Sequence, residues 1–180
     1  ANGTVVIGHE AGKAITSGPA NIVIGHQAGL VMTTNSSNTI MGYGAFRAAD
    51  AGEDNNVVIG VDAGAAINHA NSDDNVLIGY EAGKGGANSL KQSVAIGSNA
   101  LNSTGAAAST GVVAIGYNAG TAINSANADG TIAIGWEAGR AITSGASNTA
   151  IGYQALLTHT TGHSNLAIGY GAMDDTDAGS

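Results

Sequence analysis

The sequence predicts an all-β fold, a parallel β-solenoid of about ten coils, and two observations support this prediction. A short phrase occurs ten times in 180 residues: an aliphatic run, Ile-Gly or Met-Gly, two variable residues and Ala. Successive copies lie 17 to 19 residues apart. This period is too short for two helices and a turn, and it is typical of a coil made of a strand, a corner and a loop. Residues 1–180 are therefore expected to form a single repeat domain.

The glycine of each phrase, here called the anchor glycine, is expected to end a strand and turn a corner. Glycine adopts positive φ without steric cost, which explains why no side chain replaces it in any copy. Stacked coils pair at about 4.8 Å, so nine intervals predict a rod of about 43 Å. The anchor glycines are Gly8, Gly25, Gly42, Gly60, Gly79, Gly97, Gly116, Gly135, Gly152 and Gly169.

Three aliphatic columns precede the anchor glycines. The residue just before the glycine and the residue two earlier, such as Ile7 and Val5, share one side of the strand. We expect these flanking columns to form the inner core. We expect the middle column to face outward against neighbouring subunits; the alternative is a coil with both faces internal. The predicted trimer interface consists of Val6, Val23, Ile40, Val58, Leu77, Ala95, Ala114, Ala133, Ala150 and Ala167.

Composition favours self-association. The chain has 29 glycines and only 4% aromatic residues, so a single coil column is thin. Ordering each residue costs about 1 to 2 kcal/mol of backbone entropy, and burial against identical rods offsets this cost. Because the chain enters its first repeat by Val5 without a capping element, it is expected to be a segment of a longer fibre. A short protein that stacks end on end is the alternative.

Charge and hydropathy exclude several partners. Five basic side chains oppose thirteen acidic ones, for a net charge of −8, and no basic cluster is present to attract nucleic acid. No apolar run approaches the roughly 20 residues that span a bilayer, so no membrane insertion is expected. The chain has no cysteine and therefore neither disulfides nor thiolate metal sites.

Two polar patterns repeat with the coil. Glu10, Glu81 and Glu137 each precede a basic residue by three positions, which predicts exposed ion pairs, and Arg47 occupies the same basic column. An asparagine lies four residues before six of the anchor glycines, which predicts a ladder of stacked amides. The asparagines are Asn21, Asn38, Asn56, Asn75, Asn148 and Asn165.

The residue after the anchor glycine forms a largely aromatic column. Its rings either cap the corner by packing on the next coil, or present flat faces to sugar rings. The candidate glycan contacts are Tyr80, Tyr117, Trp136, Tyr153 and Tyr170.

No catalytic constellation is evident, because the repeats produce rows of residues and a catalytic site needs groups that converge. We expect neither an enzyme nor a cofactor. His159 and His163 have a spacing that suits zinc on a helix, but the Thr-Thr-Gly between them makes a helix improbable. They are weak metal candidates, and no metal site is predicted.

Two phrases resemble known fibre repeats. The segment Ser93-Val94-Ala95-Ile96-Gly97-Ser98-Asn99-Ala100 resembles the head repeat of YadA-like trimeric autotransporter adhesins. The segment Asn148-Thr149-Ala150-Ile151-Gly152-Tyr153-Gln154-Ala155-Leu156 resembles the longer repeats of bacteriophage tail fibres. The resemblance implies a left-handed parallel β-roll of three chains side by side, which acts as a rigid shaft or head in attachment to a host surface.

The period is longer than the adhesin repeat, and the membrane-anchor and coiled-coil segments of the adhesins are missing, so the resemblance favours a virion tail fibre. The implied partners are two further copies of the chain, other fibre or virion proteins, and a host surface glycan. The alternatives are the head of an adhesin on a bacterial cell surface, and a carbohydrate-binding module that uses the aromatic column. A hydrolytic tailspike and an ice-binding solenoid fit less well, because no carboxylate pair is placed in an evident groove and regular threonine rows are absent from the sequence.

Overall fold

The computed structural model describes residues 2–86, 88–103, 108–124 and 128–175. Over these ranges the chain is a parallel β-solenoid, as predicted, with about nine turns, and no α-helix occurs in them. A ten-stranded sheet contains β1 (Val5–Ile7), β2 (Ile22–Ile24), β3 (Thr39–Met41), β4 (Val57–Ile59), β5 (Val76–Ile78), β7 (Val94–Ile96), β9 (Val113–Ile115), β10 (Ile132–Ile134), β11 (Thr149–Ile151) and β12 (Leu166–Ile168). Two shorter strands, β6 (Leu90–Lys91) and β8 (Ser109–Thr110), pair with each other.

The strands of the large sheet follow one another in sequence order and keep one register. Val6 lies opposite Val23, Leu77 opposite Ala95, and Ala133 opposite Ala150. Equivalent residues of successive phrases therefore stack directly over one another. Each sequence column becomes a straight row of side chains along the rod.

The middle residue of each strand faces into the coil, so the predicted orientation of the columns was wrong. Side chains that are buried inside their own chain cannot form the predicted trimer interface. The fully buried members of that set are Val23, Ile40, Val58, Leu77, Ala95, Ala114, Ala133 and Ala150, while Ala167 is 2% exposed and Val6, in the first strand, is 43% exposed.

The narrow interior explains this orientation. A Cβ added to Gly29 would lie 2.5 Å from Met32 Sδ and 3.4 Å from Val23 Cγ1, so the strand's middle residue meets the opposite side of the coil directly. The alanine three residues after the anchor glycine is also buried in every coil up to Ala155. The interior thus holds one side chain per strand, and the two flanking side chains lie outside.

Nearly every coil places one large side chain at one of two positions, the fourth or the seventh residue after its anchor glycine. Five coils have glycine at the fourth position and a large aliphatic residue at the seventh, namely Ile15, Met32, Ile67, Ile123 or Ile142. Three others have a fully buried Phe46, Leu101 or Leu156 at the fourth position, each with φ of 52° or 53°. In the remaining complete coil Leu77 fills the space, because a Cβ on Gly83 would lie 2.5 Å from Leu77 Cδ2. Each of these coils therefore has one large side chain in its interior, but the position that supplies this side chain differs from coil to coil.

The anchor glycines turn the corner where adjacent coils approach most closely. Their φ angles run from 126° to 143°. From Gly8 to Gly152, an added Cβ would lie 2.2 to 2.6 Å from the carbonyl oxygen of the next anchor glycine. The glycine is therefore required both for its φ angle and for its lack of a side chain.

The predicted asparagine ladder is confirmed. The backbone N and Nδ2 of Asn38 donate to Asn21 Oδ1 at 3.0 and 3.2 Å, and Asn56 and Asn75 repeat the pattern along the stack. Asn165 contacts Asn148 in the same way. Each ladder amide thus joins two coils while it satisfies buried backbone groups.

Glu53 is a buried acid in the corner next to this ladder. Its side chain is fully buried, Oε2 accepts a 2.6 Å hydrogen bond from Asn35 Nδ2, and Oε1 has no hydrogen-bond partner. Burial raises the pKa of the Glu53 carboxyl above its ordinary value of 4.5. The charged form is therefore disfavoured in the folded coil.

Glu53→Gln is expected to stabilise the chain at pH 7 by about 1 kcal/mol, because the amide keeps the shape and removes the ionisable group. A raised folded-state pKa makes wild-type stability fall as the pH rises from 4.5 through that pKa, since the unfolded chain loses its proton first. Urea unfolding of both proteins from pH 4 to 8 measures the difference, which should be small at pH 4 and grow towards neutrality. A constant difference would contradict the role assigned to ionisation.

Candidate functional site

The outer face of the ten-stranded sheet, here called the sheet face, consists of the two flanking columns. It contains only Val, Ile, Leu, Met and Thr, and it carries no charge. Ile22, Met41 and Leu166 are 40%, 42% and 67% exposed, and the flanking residues of the central strands are partly exposed. The residues are Val5, Ile7, Ile22, Ile24, Thr39, Met41, Val57, Ile59, Val76, Ile78, Val94, Ile96, Val113, Ile115, Ile132, Ile134, Thr149, Ile151, Leu166 and Ile168.

This face is a continuous apolar stripe about 43 Å long, nine strand spacings of about 4.8 Å. Soluble monomers rarely leave so long an apolar stripe in contact with water. The absence of charge from both flanking columns is the sequence signal that identifies this surface. The sheet face, and not the middle column, is the surface available to a partner.

The aromatic column runs beside the corner, one residue beyond the anchor glycines. His9 stacks on His26 with ring centroids 5.1 Å apart, and His26 stacks on Tyr43 at 4.9 Å. Tyr117 stacks on Trp136 at 4.2 Å, and Tyr153 on Tyr170 at 5.0 Å. These spacings match the strand spacing, so the rings of these four pairs pack on one another across adjacent coils.

This stacking limits how the column can meet a ligand. The faces of His26 are covered by His9 and Tyr43, so the edge of its ring points to solvent. A sugar that stacks on a ring needs an open face, and a ring keeps such a face where the adjacent coil carries no ring. Among the predicted glycan contacts, Tyr80 has Val61 and Ser98 as its neighbours in the column and is 52% exposed.

The predicted ion pairs line the aromatic column. Lys13 Nζ lies 2.8 Å from Glu10 Oε1, and the Lys84–Glu81 and Arg140–Glu137 pairs have equivalent distances of 3.0 Å. Arg47 pairs with Asp62 of the next coil. The hydrogen bond from Lys13 is the main cause that lowers the pKa of Glu10 to about 2. The pKa values of Glu81 and Glu137 are also lowered, so these three glutamates are ionised near neutral pH.

Gln27 and Gln154 tie the acids of this rim to the adjacent coils. Gln27 Nε2 donates to Glu10 Oε2, and Gln154 Nε2 donates to Glu137 Oε2, both at 2.9 Å. The rim beside the aromatic column thus carries ionised carboxylates that are already hydrogen-bonded between coils.

The structure does not bring the weak metal candidates into one site. His159 is fully buried, and its Nε2 lies 3.0 Å from Gly162 O, whereas His163 is exposed. Across the described ranges, no group of three or more potential metal-binding side chains is found, and no pocket is found either. Within the same ranges, no helix has the length and apolar character needed to cross a membrane.

Comparisons of the chain with protein-family models, with curated proteins and with solved structures found no match. The fold and the two surfaces define the class, a parallel β-solenoid with an apolar sheet face and a stacked aromatic column. Any function must be inferred from these surfaces.

Proposed function

We propose that the chain is a non-catalytic segment of an attachment fibre, in which three copies pack their sheet faces around a common axis. The uncharged apolar sheet face is the observation that supports this assembly. The number three comes from the resemblance to trimeric fibre repeats at Ser93–Ala100 and Asn148–Leu156. The sheet face replaces the middle column as the proposed trimer interface.

The parallel stack suits such an assembly. All strands run in one direction, and equivalent residues lie at regular heights along the rod. Side-by-side copies that are related by rotation about the rod axis therefore bring residues of the same height, and of the same column, together. A three-residue strand is only about 10 Å wide. Three such narrow faces enclose a triangular core that covers both flanking columns of every copy.

The mechanical role follows from how the coils are joined. Adjacent coils are joined by backbone hydrogen bonds on the strand, at the corner and in the turn, as in Gly25 N to Ile7 O at 2.8 Å and Gln27 N to His9 O at 2.9 Å. A rod bonded in this way resists bending and transmits force along its axis. We place it in a virion tail fibre, bound to other fibre or virion proteins and directed at a host surface. The head of a bacterial surface adhesin is the second candidate, since the same trimer would serve it.

Native mass spectrometry at micromolar concentration tests this proposal. Wild type is expected at three times the 17.4 kDa chain mass. The double variant Ile96→Glu, Ile115→Glu places charges on two adjacent strands of the sheet face and is expected to be a folded monomer with an unchanged circular dichroism spectrum.

The matched control is Val31→Glu, which changes a valine that is 38% exposed and lies outside the sheet face. It should remain trimeric. A wild-type chain that is a stable monomer would contradict the proposal, as would a double variant that remains trimeric.

A further inference from the structure

One coil interrupts the aromatic column with a small side chain between two rings. Asn99 N donates to Tyr80 O at 2.9 Å, and Asn118 N donates to Ser98 O at 3.0 Å, so Tyr80, Ser98 and Tyr117 occupy three successive coils at the same position. Ser98 is the smallest residue in the column, and it stands where its neighbours carry rings. The column of rings therefore has a shallow gap at Ser98, here called the notch, and the two tyrosines on the adjacent coils are its walls.

The orientation of the upper wall follows from its stacking. Tyr117 packs on Trp136 with an interplanar angle of 25° and ring centroids 4.2 Å apart. One face of Tyr117 is therefore covered by Trp136, and the other face is directed towards the coil of Ser98. The column has one other position without a ring, Val61, where a branched side chain occupies part of the space.

We propose that this notch binds one neutral pyranose ring between Tyr80 and Tyr117. The site lies within one chain and goes beyond the structural role proposed above, on which it does not depend.

The height of the notch favours a puckered ring. Two coil spacings separate the walls by about 9.6 Å. A flat aromatic ring in contact with both walls would need about 7 to 8 Å, twice the carbon–carbon contact distance. The extra 2 Å or so suits a pyranose chair, whose axial hydrogens point towards the aromatic faces.

The chemistry beside the notch favours a neutral sugar. Glu81, Asn99 and Asn118 directly follow the three notch residues. Glu81 already accepts hydrogen bonds from Lys84 Nζ and Asn102 Nδ2, at 3.0 and 3.1 Å, so sugar hydroxyls would use the remaining lone pairs of its carboxylate and the amide groups beside it. A hydrogen bond from Lys84 is the main cause that lowers the pKa of the Glu81 carboxyl, so it is an ionised acceptor at neutral pH. This carboxylate, together with a net charge of −8, disfavours nucleotides and acidic sugars.

The chain contains its own reporter for this site. Trp136 is the single tryptophan and stacks on the back of Tyr117. Titration of the full chain with the methyl glycosides of glucose, galactose and N-acetylglucosamine, followed by Trp136 fluorescence, should show saturable binding in the millimolar range. Adenosine and purine, which do not emit where tryptophan does, serve as flat-ring probes and should bind at least tenfold more weakly than the best glycoside.

Ser98→Tyr supplies the missing ring and closes the notch, and it is expected to lower glycoside affinity at least tenfold. Neighbouring coils already accept rings at 4.2 to 5.1 Å, so the variant should fold. Val61→Tyr adds a ring at the other position without one and leaves the notch open, so it is the matched control and should bind as wild type does. Tyr80→Ala removes one wall of the notch and should also lower glycoside affinity. It therefore tests the proposal independently if Ser98→Tyr does not fold.

Unchanged glycoside affinity in a folded Ser98→Tyr, stronger binding of the flat rings, or no binding of any of the three glycosides would each overturn the proposal. Native mass spectrometry of the same samples separates this result from the trimer. A monomer that binds glycosides at the notch would contradict only the proposed trimer. A trimer that binds none would contradict only the proposed sugar site.

Discussion

Gly116→Ala is expected to lower the free energy of unfolding by about 4 kcal/mol or more, among the largest effects of a single substitution. The reason is twofold. Gly116 has a φ of 133°, which L side chains rarely adopt, and an added Cβ would lie 2.3 Å from Gly135 O. The atom in the way is a backbone carbonyl, so relief requires that two coils move apart. Urea unfolding followed by circular dichroism measures the loss.

Two other glycines separate the contribution of backbone strain from that of the steric clash with the next coil. Gly169 has a φ of 126°, but an added Cβ meets nothing within 4 Å, so Gly169→Ala should show the backbone strain without the clash, about 1 to 3 kcal/mol. Gly111 has a φ of 67° and equally open surroundings, and Gly111→Ala should cost the least of the three. If Gly116→Ala is no more destabilising than Gly169→Ala, coil-to-coil contact at the corner is not what requires glycine.

Phe46→Gly is expected to cost about 3 to 5 kcal/mol, because it empties the interior of one coil. Phe46 is fully buried at the fourth position after its anchor glycine, and Ala49 is fully buried at the seventh. The coils on either side have the opposite arrangement, Gly29 with Met32 and Gly64 with Ile67. Phe46→Gly combined with Ala49→Ile gives this coil the pattern of its neighbours, and it should recover most of the lost stability.

The remaining single variant completes a double-mutant cycle. Ala49→Ile alone adds volume to a filled coil and should cost about 1 to 3 kcal/mol. Each single change therefore destabilises, and the pair should be strongly coupled because the two positions share one space. Losses that simply add in the double variant would show that the two positions do not exchange volume.

The sequence was sufficient to predict the fold, because a repeat multiplies each weak local signal ten times. The corners at the anchor glycines, the asparagine ladder and the Glu10–Lys13, Glu81–Lys84 and Glu137–Arg140 ion pairs were all predicted. Each of these depends on spacing along the chain, and the parallel register converts spacing directly into contact.

The sequence-based prediction of which strand columns face the interior was wrong, and the reason is physical. A three-residue strand such as Ile132–Ile134 places two large side chains on one side and a small one on the other, and alternation alone does not say which side is interior. The width of the interior determines which side of the strand faces inward. That width depends on the opposite side of the coil, where Gly139 and Ile142 leave room for Ala133 alone. The prediction also missed that the large interior side chain alternates between the fourth position, as in Phe46, and the seventh position, as in Met32. The reason is the same, because both positions fill one interior space.

The notch at Ser98 could not be seen in the aromatic pattern alone. The sequence left two alternatives for this column, rings that cap the corner and rings that present flat faces to sugars. In a stacked column, however, neighbouring rings cover one another's faces, as His9, His26 and Tyr43 do. Binding capacity then depends on where a ring is missing, which is a property of the column in three dimensions.

Cysteine cross-linking tests the central claim, that the flanking columns face outward and meet other copies while the middle column is enclosed. The chain has no cysteine, so Ala133→Cys and Ile134→Cys on β10 each introduce one thiol, on opposite sides of the same strand. With a short bis-maleimide, Ile134→Cys is expected to give covalent dimers in high yield, and Ala133→Cys is expected to stay unreacted until urea unfolds the chain. Cross-linking through residue 133 with protection of residue 134 would contradict the account.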